Sequence, residues 1–454
     1  MAKKKKQVPR NSDAIEQLAS EYVIKSTPAL DLAAENAHKL YNCALYQLRQ
    51  SLFKRKGWLS YEDLDRIFKR KRNANELMLY GQMPTVQCAQ QTLKEACAVW
   101  KAWKNALKSY KVAPGKFTGR PRIPSYLKKT KKHTFYVTSQ NAKVKEVIGE
   151  DKKVLARYLE IHSLGLRIKL DDGVKDIGRV AIKPMSKGYK LVVPYTPSQS
   201  QEPFLPDNGH YIGIDPGVDN AFACVSNTGA APLLVNGGSI KSVNQYYNKR
   251  LAKLKSLQAQ YHQLERIINT KQGPKAVYAQ TKSMQSLTDW RNEKVRQFAH
   301  KASKRIIDYA LSCDANTIVI GKNKSWKRSA DMGKKNNQNF IGLPHAQMID
   351  MIKYKAKMLG ITVICTNESY TSQTSALDGE KPCWNNGNKS RKKQGKSPAN
   401  RRVHRGMFKT NKGLLVNADV NGAMQIVRKV FPNVSFADGI VGAVLRPDKW
   451  SPTI

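Results

Sequence analysis

Three short apolar runs, each ending at a turn, place the strongest constraint on how this chain folds. YIGI precedes Asp215, NTIVI precedes Gly321, and ITVIC lies just before Glu368. Runs of this length bounded by Gly, Pro and Asn are typical of buried strands. Two more strands are predicted at NAFACVSNTG and PLLVNGG, and helical segments separate the rest. This order predicts an α/β domain whose first, fourth and fifth strands lie parallel.

Helical periodicity occupies the segments between these strands. LPHAQMIDMIKYKAKMLG is predicted as a helix with Pro344 near its start and Gly360 as its C-terminal cap. A last helix is predicted from Asp419 to Phe431. Two long helices are predicted between the third and fourth strands. The apolar residues that mark the two long helices are Leu251, Leu254, Leu257, Tyr261, Leu264 and Ile268 for the first and Val295, Phe298, Ala302, Ile306 and Tyr309 for the second. In the last helix, the residues predicted to face inward are Ala423, Ile426, Val427 and Val430.

The first half of the chain follows a different pattern. Residues Thr27 to Tyr110 have helical periodicity, and Phe135 to Tyr195 have short alternating stretches that predict a small antiparallel sheet or barrel. A basic connector, GKFTGRPRIPSYLKKTKKHTF, joins them, and the polar linker SQSQEPFLPDNGH follows. One helical face carries an apolar stripe that is more typical of a packed core than of a base-stacking platform. Its members are Trp100, Trp103, Leu107 and Tyr110.

The formal charge of +45, from 79 Lys and Arg against 34 Asp and Glu, indicates a polyanionic partner. Such an excess opposes compaction by self-repulsion, and it attracts nucleic acid through counterion release. Nucleic acid is therefore the leading partner. A ribosomal-type structural protein and a membrane-surface binder share this charge and stay open as alternatives.

The cysteines and the N-terminal residues indicate which cellular compartment the protein occupies. The seven cysteines form no CxxC pair and are interpreted as reduced, mostly buried thiols. No apolar run reaches the length needed to cross a bilayer. MAKKKKQVPRNSD lacks the apolar stretch of a secretory signal, and its basic residues fit either a nuclear address or a nucleic-acid-binding arm.

Two aspartates are candidate metal ligands at the carboxyl edge of the predicted sheet. Asp215 ends the first strand, and Asp419 begins the last helix one turn before Ala423. Carboxylates that converge there suit Mg²⁺, and two such ions can drive phosphodiester cleavage. The simpler alternatives are that Asp215 belongs to an Asp-Pro-Gly turn and that Asp419 only caps a helix.

Two carboxylates are few ligands for two metal ions, so a third acid is expected. The strand order resembles that of an RNase H-type fold, in which the usual third acid is a Glu at the end of the fourth strand, where this chain has Gly321. The next residues, Lys322, Asn323 and Lys324, cannot replace a carboxylate. The fifth strand runs parallel to the fourth and ends at the same edge, about 4.8 Å away. Glu368 lies just past that strand, so we predict that it supplies the missing ligand. The alternative is that Glu368 is an ordinary loop acid.

Several segments resemble the RuvC nuclease segments of TnpB proteins from insertion sequences and of the related Fanzor proteins and compact type V CRISPR effectors. These segments are IGIDPGVDNAFACVSNTG, TIVIGKNKSWK, NESYTSQTS and RGMFKTNKGLLVNADVNGAMQIVRKVF. The resemblance is close over residues 209 to about 433 and looser before. It implies an RNA-guided DNA endonuclease that binds a guide RNA, reads a short motif beside its double-stranded DNA target and cuts with one RuvC site.

The resemblance also implies a multidomain α/β fold, with an RNase H-like (RuvC) nuclease domain preceded by a helical recognition domain and a small β-barrel-like wedge domain. The expected divisions are an N-terminal basic arm and start of the wedge domain at 1–30, the recognition domain at 31–125, the wedge domain at 126–208, the first RuvC part at 209–370, a basic insertion at 371–415, and the last RuvC part with a C-terminal tail at 416–454.

The predicted catalytic residues and ligands of two Mg²⁺ ions are Asp215, Glu368 and Asp419. The usual RuvC glutamate is absent at Gly321, and some TnpB and Fanzor lineages are similar in having it moved to the place of Glu368. Most members have a zinc ribbon in the insertion, whereas here only Cys383, with His404 downstream, is present, so no structural zinc is predicted. The predicted nucleic-acid contacts are Arg120, Arg122, Lys128, Lys129, Lys322, Lys324, Lys327, Arg391, Lys392, Arg401, Arg402 and Arg405.

Other functions stay open on this reading. A nuclease-inactive, RNA-guided DNA-binding repressor or transposition accessory protein would bind its target without cutting it. An ATPase is a third class, because actin-like folds also begin with a strand followed by an Asp and Gly turn, although the charge and the NADVNGA helix weigh against it. No membrane partner is expected, and the expected location is cytoplasmic and nucleoid-associated in a prokaryote or nuclear in a eukaryote.

Overall fold

The architecture is taken from a computed structural model of the chain. It describes residues 17–55, 57–73, 78–128, 132–197, 203–261, 264–270, 273–278, 280–322, 342–369, 371–380, 402–404, 406–437 and 440–454. The chain divides into two compact units, Met1–Ser200 and Gln201–Ile454. Both contain helices and sheets, so the chain is a multidomain α/β protein.

The helices of the N-terminal unit pack around a core of aliphatic side chains. The predicted helical region from Thr27 to Tyr110 is confirmed. Thr27 and Thr85 cap two of the helices by accepting a hydrogen bond from a backbone N–H of the first turn. Trp100 is 4% exposed and belongs to the core, as its stripe predicts. The helices are α1 (Pro28–Phe53), α2 (Tyr61–Asn73) and α3 (Val86–Val112).

The strands of this unit form two antiparallel sheets. They are β1 (Leu18–Ile24), β2 (Phe135–Val137), β3 (Lys143–Ile148), β4 (Val154–Ile161), β5 (Leu166–Lys169), β6 (Val180–Pro184) and β7 (Tyr189–Tyr195). One sheet has the order β1-β7-β6-β2, and the other has the order β3-β4-β5. The single small sheet predicted over this region is therefore two sheets. The first strand of one of them comes from upstream of the helices.

The basic connector after α3 is held against the helices by its backbone. Asn42 of α1 accepts from Leu127 N at 2.8 Å and donates to Leu127 O at 3.0 Å. Arg49 donates to Pro124 O, and Trp103 donates to Pro121 O. These bonds fix the connector, and its side chains Lys116, Arg120, Arg122 and Lys128 are exposed.

A six-stranded sheet forms the centre of the C-terminal unit. Its strands are β8 (Tyr211–Pro216), β9 (Asn220–Ser226), β10 (Leu233–Asn236), β13 (Thr317–Gly321), β14 (Thr362–Thr366) and β18 (Asp448–Trp450), in the order β14-β13-β8-β9-β10-β18. β13 pairs in parallel with both β8 and β14, which confirms the adjacency predicted from the sequence. β9 is antiparallel to β8 and to β10.

Helices cover both faces of this sheet. They are α4 (Gly238–Gln260), α5 (Lys282–Ser312), α6 (His345–Met358), α7 (Ala418–Val430) and α8 (Ile440–Leu445). α5 and α6 share an aliphatic core with one face of the sheet. α7 packs on β8 so closely that a Cβ at Gly213 would overlap the carbonyl oxygen of Ala423. Gly360 has φ +71° directly after the C-cap of α6, as predicted.

Two sequence predictions for this unit need correction. The first long helix ends at Gln260, because residues of its predicted last turns form a hairpin of β11 (Leu264–Thr270) and β12 (Gly273–Tyr278). The predicted C-terminal tail supplies β18, which adds to the sheet parallel to β10.

The remaining strands and the cysteines complete the description. β15 (Arg402–His404), β16 (Met407–Lys409) and β17 (Leu415–Asn417) form a small antiparallel sheet just before α7. The cysteines in the described residues are free thiols, and three of them, Cys88, Cys224 and Cys313, are buried. Cys383 lies outside the described residues. No helix among the described residues is long and apolar enough to cross a membrane.

Candidate active site at the carboxyl edge of the central sheet

Asp215 lies within β8 and not in the turn that follows. It pairs with Ala223 of β9, and the turn begins at Gly217, whose N–H donates to Ala221 O. Its carboxylate points toward α7, because a Cβ at Gly422 would lie only 2.5 Å from Asp215 Oδ2. The turn alternative therefore does not account for Asp215.

Asp419 is not the cap of α7. Asn417 is the N-cap, and its Oδ1 accepts from the backbone N–H groups of Asp419 and Val420 at 2.9 and 3.2 Å. Asp419 Oδ2 instead accepts a hydrogen bond of 2.8 Å from Asn220 Nδ2 at the start of β9. Asn220 orients this carboxylate. Its role is not predictable from the sequence, because Asn is a common residue in and beside tight turns.

Glu368 lies above the backbone of Gly321. β14 ends at Thr366, which pairs with Gly321, so Glu368 is in the turn beyond the strand. A Cβ at Gly321 would lie 3.0 Å from Glu368 Cβ, 3.2 Å from Glu368 Oε2 and 2.7 Å from Ile426 Cδ1. The space of a side chain at position 321 is thus filled by Glu368 from one side and by Ile426 from the other.

Lys429 holds the turn that carries Glu368. Its Nζ donates to the carbonyl oxygens of Asn367, at 2.8 Å, and of Ser369. These two residues flank Glu368, so the contact fixes the backbone on both sides of it. Lys429 precedes Val430, the last of the predicted inward residues of α7, and a Lys in the last turn of a helix ordinarily signals only a favourable dipole interaction.

The surroundings of Glu368 shift its protonation. Glu368 Oε2 is shielded from solvent. Burial raises the pKa of Glu368 to about 7, and the nearby Lys429 ammonium opposes this rise. Burial in turn lowers the pKa of Lys429, and the Glu368 charge opposes that shift. An acid with a pKa near neutrality is typical of functional sites more than of an ordinary surface loop.

The three predicted ligands lie along α7. Asp215 contacts it at Gly422, Glu368 lies beside Ile426, and Asp419 is in its first turn. Within the described residues, no group of three or more His, Cys, Asp or Glu side chains is arranged to hold a metal ion. The carboxylate oxygens of Asp215, Glu368 and Asp419 are donors that Mg²⁺ prefers, so the residue types fit a Mg²⁺ site. In this structure the three carboxylates are not arranged as a metal-binding group.

The predicted nucleic-acid contacts are only partly described. Arg120, Arg122 and Lys128 are exposed on the connector, and Lys322 is half-buried directly after β13. Arg402 begins β15. Those outside the described residues are Lys129, Lys324, Lys327, Arg391, Lys392, Arg401 and Arg405. Contact with nucleic acid stays a prediction for the whole set.

The start of the predicted insertion packs on α7. Asn421 accepts from Ala376 N and donates to Thr374 O, and Gln425 donates to Glu380 O. These buried amides explain why polar residues occupy the inner face of this helix. His404 is exposed in β15. With Cys383 outside the described residues, the expected absence of structural zinc stays a prediction.

Two family models match the C-terminal unit and the residues just before it. Residues 193–327 match the probable transposase family OrfB_IS605, and residues 345–426 match the Cas12f1-like TNB domain. Between them, the matches contain all three candidate acids. The resemblance to TnpB proteins and compact type V effectors seen in the sequence is thereby confirmed. No curated protein matches it.

Solved structures of RNA-guided effectors are similar to this chain at low identity. A Cas12f1–sgRNA–target DNA complex is 15% identical, with 90% of this chain and 98% of that chain covered and a TM-score of 0.34. The mini-RNA-guided endonuclease CRISPR-Cas_phi3 is 10% identical, with 97% and 94% covered and a TM-score of 0.46. C2c1 of Alicyclobacillus acidoterrestris with single-guide RNA is 9% identical, with 90% and 70% covered and a TM-score of 0.38. All of these TM-scores are below 0.5.

Proposed function

We propose that this protein is an RNA-guided DNA endonuclease that cuts a double-stranded DNA target beside a short recognition motif. Its RuvC-type site uses Asp215, Glu368 and Asp419. The observation that carries the proposal is the position of Glu368, whose carboxylate occupies the space above Gly321 where the fourth strand would otherwise present its acid. The family and the charge of +45 support a guide RNA and DNA as partners.

Each acid has its own task in this proposal. Asp215 lies beside Gly422 of α7 and Glu368 lies beside Ile426, one helical turn further on. Asn220 keeps Asp419 turned toward β9. Two Mg²⁺ ions held by these acids would supply activation of water and neutralisation of the departing oxygen. Glu368 must lose its proton to act as an anionic ligand, and Lys429 favours that form.

A second candidate is a nuclease-inactive, RNA-guided DNA-binding repressor. The lack of an assembled three-acid group among the described residues favours it. The two candidates differ in one step, because both bind guide and target but only the nuclease cuts.

The test begins with sequencing the RNA that copurifies with the full-length protein. A DNA duplex matching its variable end is then incubated with the protein in Mg²⁺, and binding and cleavage are measured separately. We expect wild-type cleavage, and binding without product for Asp215→Ala, Glu368→Ala and Asp419→Ala. Asp308→Ala is the matched control, since Asp308 is an exposed acid paired with Lys304 on α5. Wild-type binding without product would establish the repressor, and wild-type cleavage by Glu368→Ala would reject the relocated ligand.

A further inference from the structure

A cleft in the N-terminal unit combines tryptophan rings with lysines. It has a volume of about 620 Å³ and lies between α3 and the segment that joins α1 to α2. Pockets of about 300–1,000 Å³ are typical of small-ligand sites. The cleft is distant in sequence from the three candidate acids, and the nuclease chemistry does not account for it.

Trp58 supplies an exposed aromatic surface to this cleft. Its ring lies 6.0 Å from the Trp100 ring and 6.2 Å from the Trp103 ring, and those two rings are 4.9 Å apart. Trp100 is buried, whereas Trp58 is 44% exposed. Trp100, which is buried, and Trp103, which is half-buried, support the Trp58 ring, and Trp58 is an aromatic platform open to solvent.

Lysines of α3 line the same cleft. Lys94, Lys101, Lys104 and Lys108 recur at steps of seven, three and four, which places them on one helical face about 20 Å long. Lys104 Nζ lies 4.2 Å from the centre of the Trp58 ring. Within the described residues, the lining contains no Asp or Glu.

The other ionisable groups of the lining are neutral at physiological pH. Burial raises the pKa of Tyr61 to about 12, with Asp65 and Glu62 adding to the rise. Burial and Glu62 raise the pKa of Cys97 to about 11. The cleft therefore presents aromatic surface and positive charge together, which is the combination that binds single-stranded nucleic acid.

We propose that this cleft binds an unpaired nucleotide, with its base stacked on Trp58 and its neighbouring phosphates on Lys101, Lys104 and Lys108. Lys104 leaves the Trp58 ring for a phosphate when the base arrives. An exposed cation–π contact is weaker than a stacked base plus a phosphate contact, so the exchange is favourable. This inference rests on one part of the proposed function, namely that the protein binds nucleic acid. It does not depend on cleavage of DNA.

The test uses full-length protein stripped of copurified RNA in high salt, and short unstructured adenine oligonucleotides of RNA and of DNA. Matched oligonucleotides carry abasic sites in place of the bases. The wild type should bind the base-bearing strand about 5- to 150-fold more tightly than the abasic one, as expected for one stacked base. Trp58→Ala should lose this preference, and Trp58→Phe should keep most of it. Tighter binding of RNA or of DNA would identify the source of the nucleotide, and equal binding would mean that the cleft accepts both.

Trp290→Ala is the matched control, because Trp290 is a similarly exposed tryptophan, 37%, beside Tyr246 in the other unit. The proposal is overturned if Trp58→Ala keeps the preference for bases or if Trp290→Ala loses it equally. Lys108→Ala, at an exposed position that cannot unfold the helix, should lower the salt-dependence slope by about 0.7 for one lost phosphate contact. Lys153→Ala, an 81% exposed lysine outside the cleft, should leave the slope unchanged.

Discussion

Two glycines of the C-terminal unit each leave space for a carboxylate, and they do so in different ways. At Gly422 of α7 an added Cβ would lie 2.5 Å from Asp215 Oδ2, and at Gly321 of β13 it would lie 3.2 Å from Glu368 Oε2. Asp215 is fixed by a strand paired on both sides. Glu368 lies beyond its strand and depends on the hydrogen bonds of Lys429.

The two carboxylates differ in what holds each of them in place. A carboxylate on a central strand is positioned by the backbone ladder, so few side chains are needed to hold it. A carboxylate in a turn needs a clamp and an empty space, here supplied by Lys429 and by the missing side chain at Gly321. Perturbing the first acid should therefore cost more than perturbing the second.

The largest effect is expected for Gly422→Ala. The new methyl group would displace the Asp215 carboxylate, and a misplacement of about 1 Å at a reacting centre can lower the rate about 100-fold. The same change replaces a helical glycine, so the free energy of unfolding should rise by about 0.5–1 kcal/mol. Cleavage rates and thermal unfolding of the variant measure the two effects, which have opposite sign.

Gly442→Ala is the control for this change. Gly442 lies in α8, and an added Cβ there would meet no atom within 4 Å. It should leave cleavage at the wild-type rate. If Gly422→Ala also cuts at the wild-type rate, the position of the Asp215 carboxylate beside Gly422 is not its catalytic position.

The pH dependence of metal binding should report on the second acid. The folded-state pKa of Glu368 is raised to about 7, so its neutral form is favoured by the metal-free fold. Protonated Glu368 therefore stabilises the metal-free fold at pH values below its ordinary pKa. This contribution to the free energy of unfolding is lost as the pH rises through 7. Binding of Mg²⁺ or Mn²⁺ requires the anion, so the apparent dissociation constant should fall about tenfold per pH unit up to 7 and then level off.

Calorimetric titration with Mn²⁺ at several pH values measures this dependence. Glu368→Gln removes the titrating group, so its weaker binding should be flat between pH 5 and 8, about the range in which the wild type changes. A wild-type affinity that is equally flat would mean that Glu368 does not contact the ion.

The strand order and the neighbourhood of these acids were predictable from the sequence. Apolar runs before Asp215, Gly321 and Glu368 marked buried parallel strands, and parallel strands must end at one edge. That geometry brought Glu368 to Gly321 without any knowledge of side-chain contacts. The family motifs added the identity of the acids, which periodicity alone does not determine.

The parts that were not predictable depend on long-range contacts. The first long helix was extended through Ile268 because its apolar spacing is helical, whereas these residues pair with the strand after them. Asn220 and Lys429 are ordinary polar residues until the fold places them beside Asp419 and Glu368. Trp58 is similar, since only packing on Trp100 shows that it forms a platform.

A smaller effect is expected for Gly321→Ala. The added Cβ would meet Ile426 Cδ1 at 2.7 Å and Glu368 Cβ at 3.0 Å, and both lie on side chains that can shift. Cleavage should fall by less than about tenfold, well below the loss at Gly422. A loss as large as that of Gly422→Ala would show that the turn is as rigid as the strand, which would remove the distinction between the two acids.

The smallest effect is expected for Lys429→Met, which keeps the length of the side chain and removes its charge and donors. The turn at Asn367 and Ser369 loses its clamp, and the pKa of Glu368 should rise further because the ammonium that opposes the rise is gone. The Mg²⁺ concentration for half-maximal cleavage should increase a few-fold, the midpoint of the pH profile should move upward, and saturating Mg²⁺ should restore most of the rate. Lys412→Met, at an exposed position, should do none of this. A variant that merely damaged the fold would lose rate at every Mg²⁺ concentration without moving the pH midpoint, so this pair of measurements separates a positioning role for Lys429 from a purely structural one.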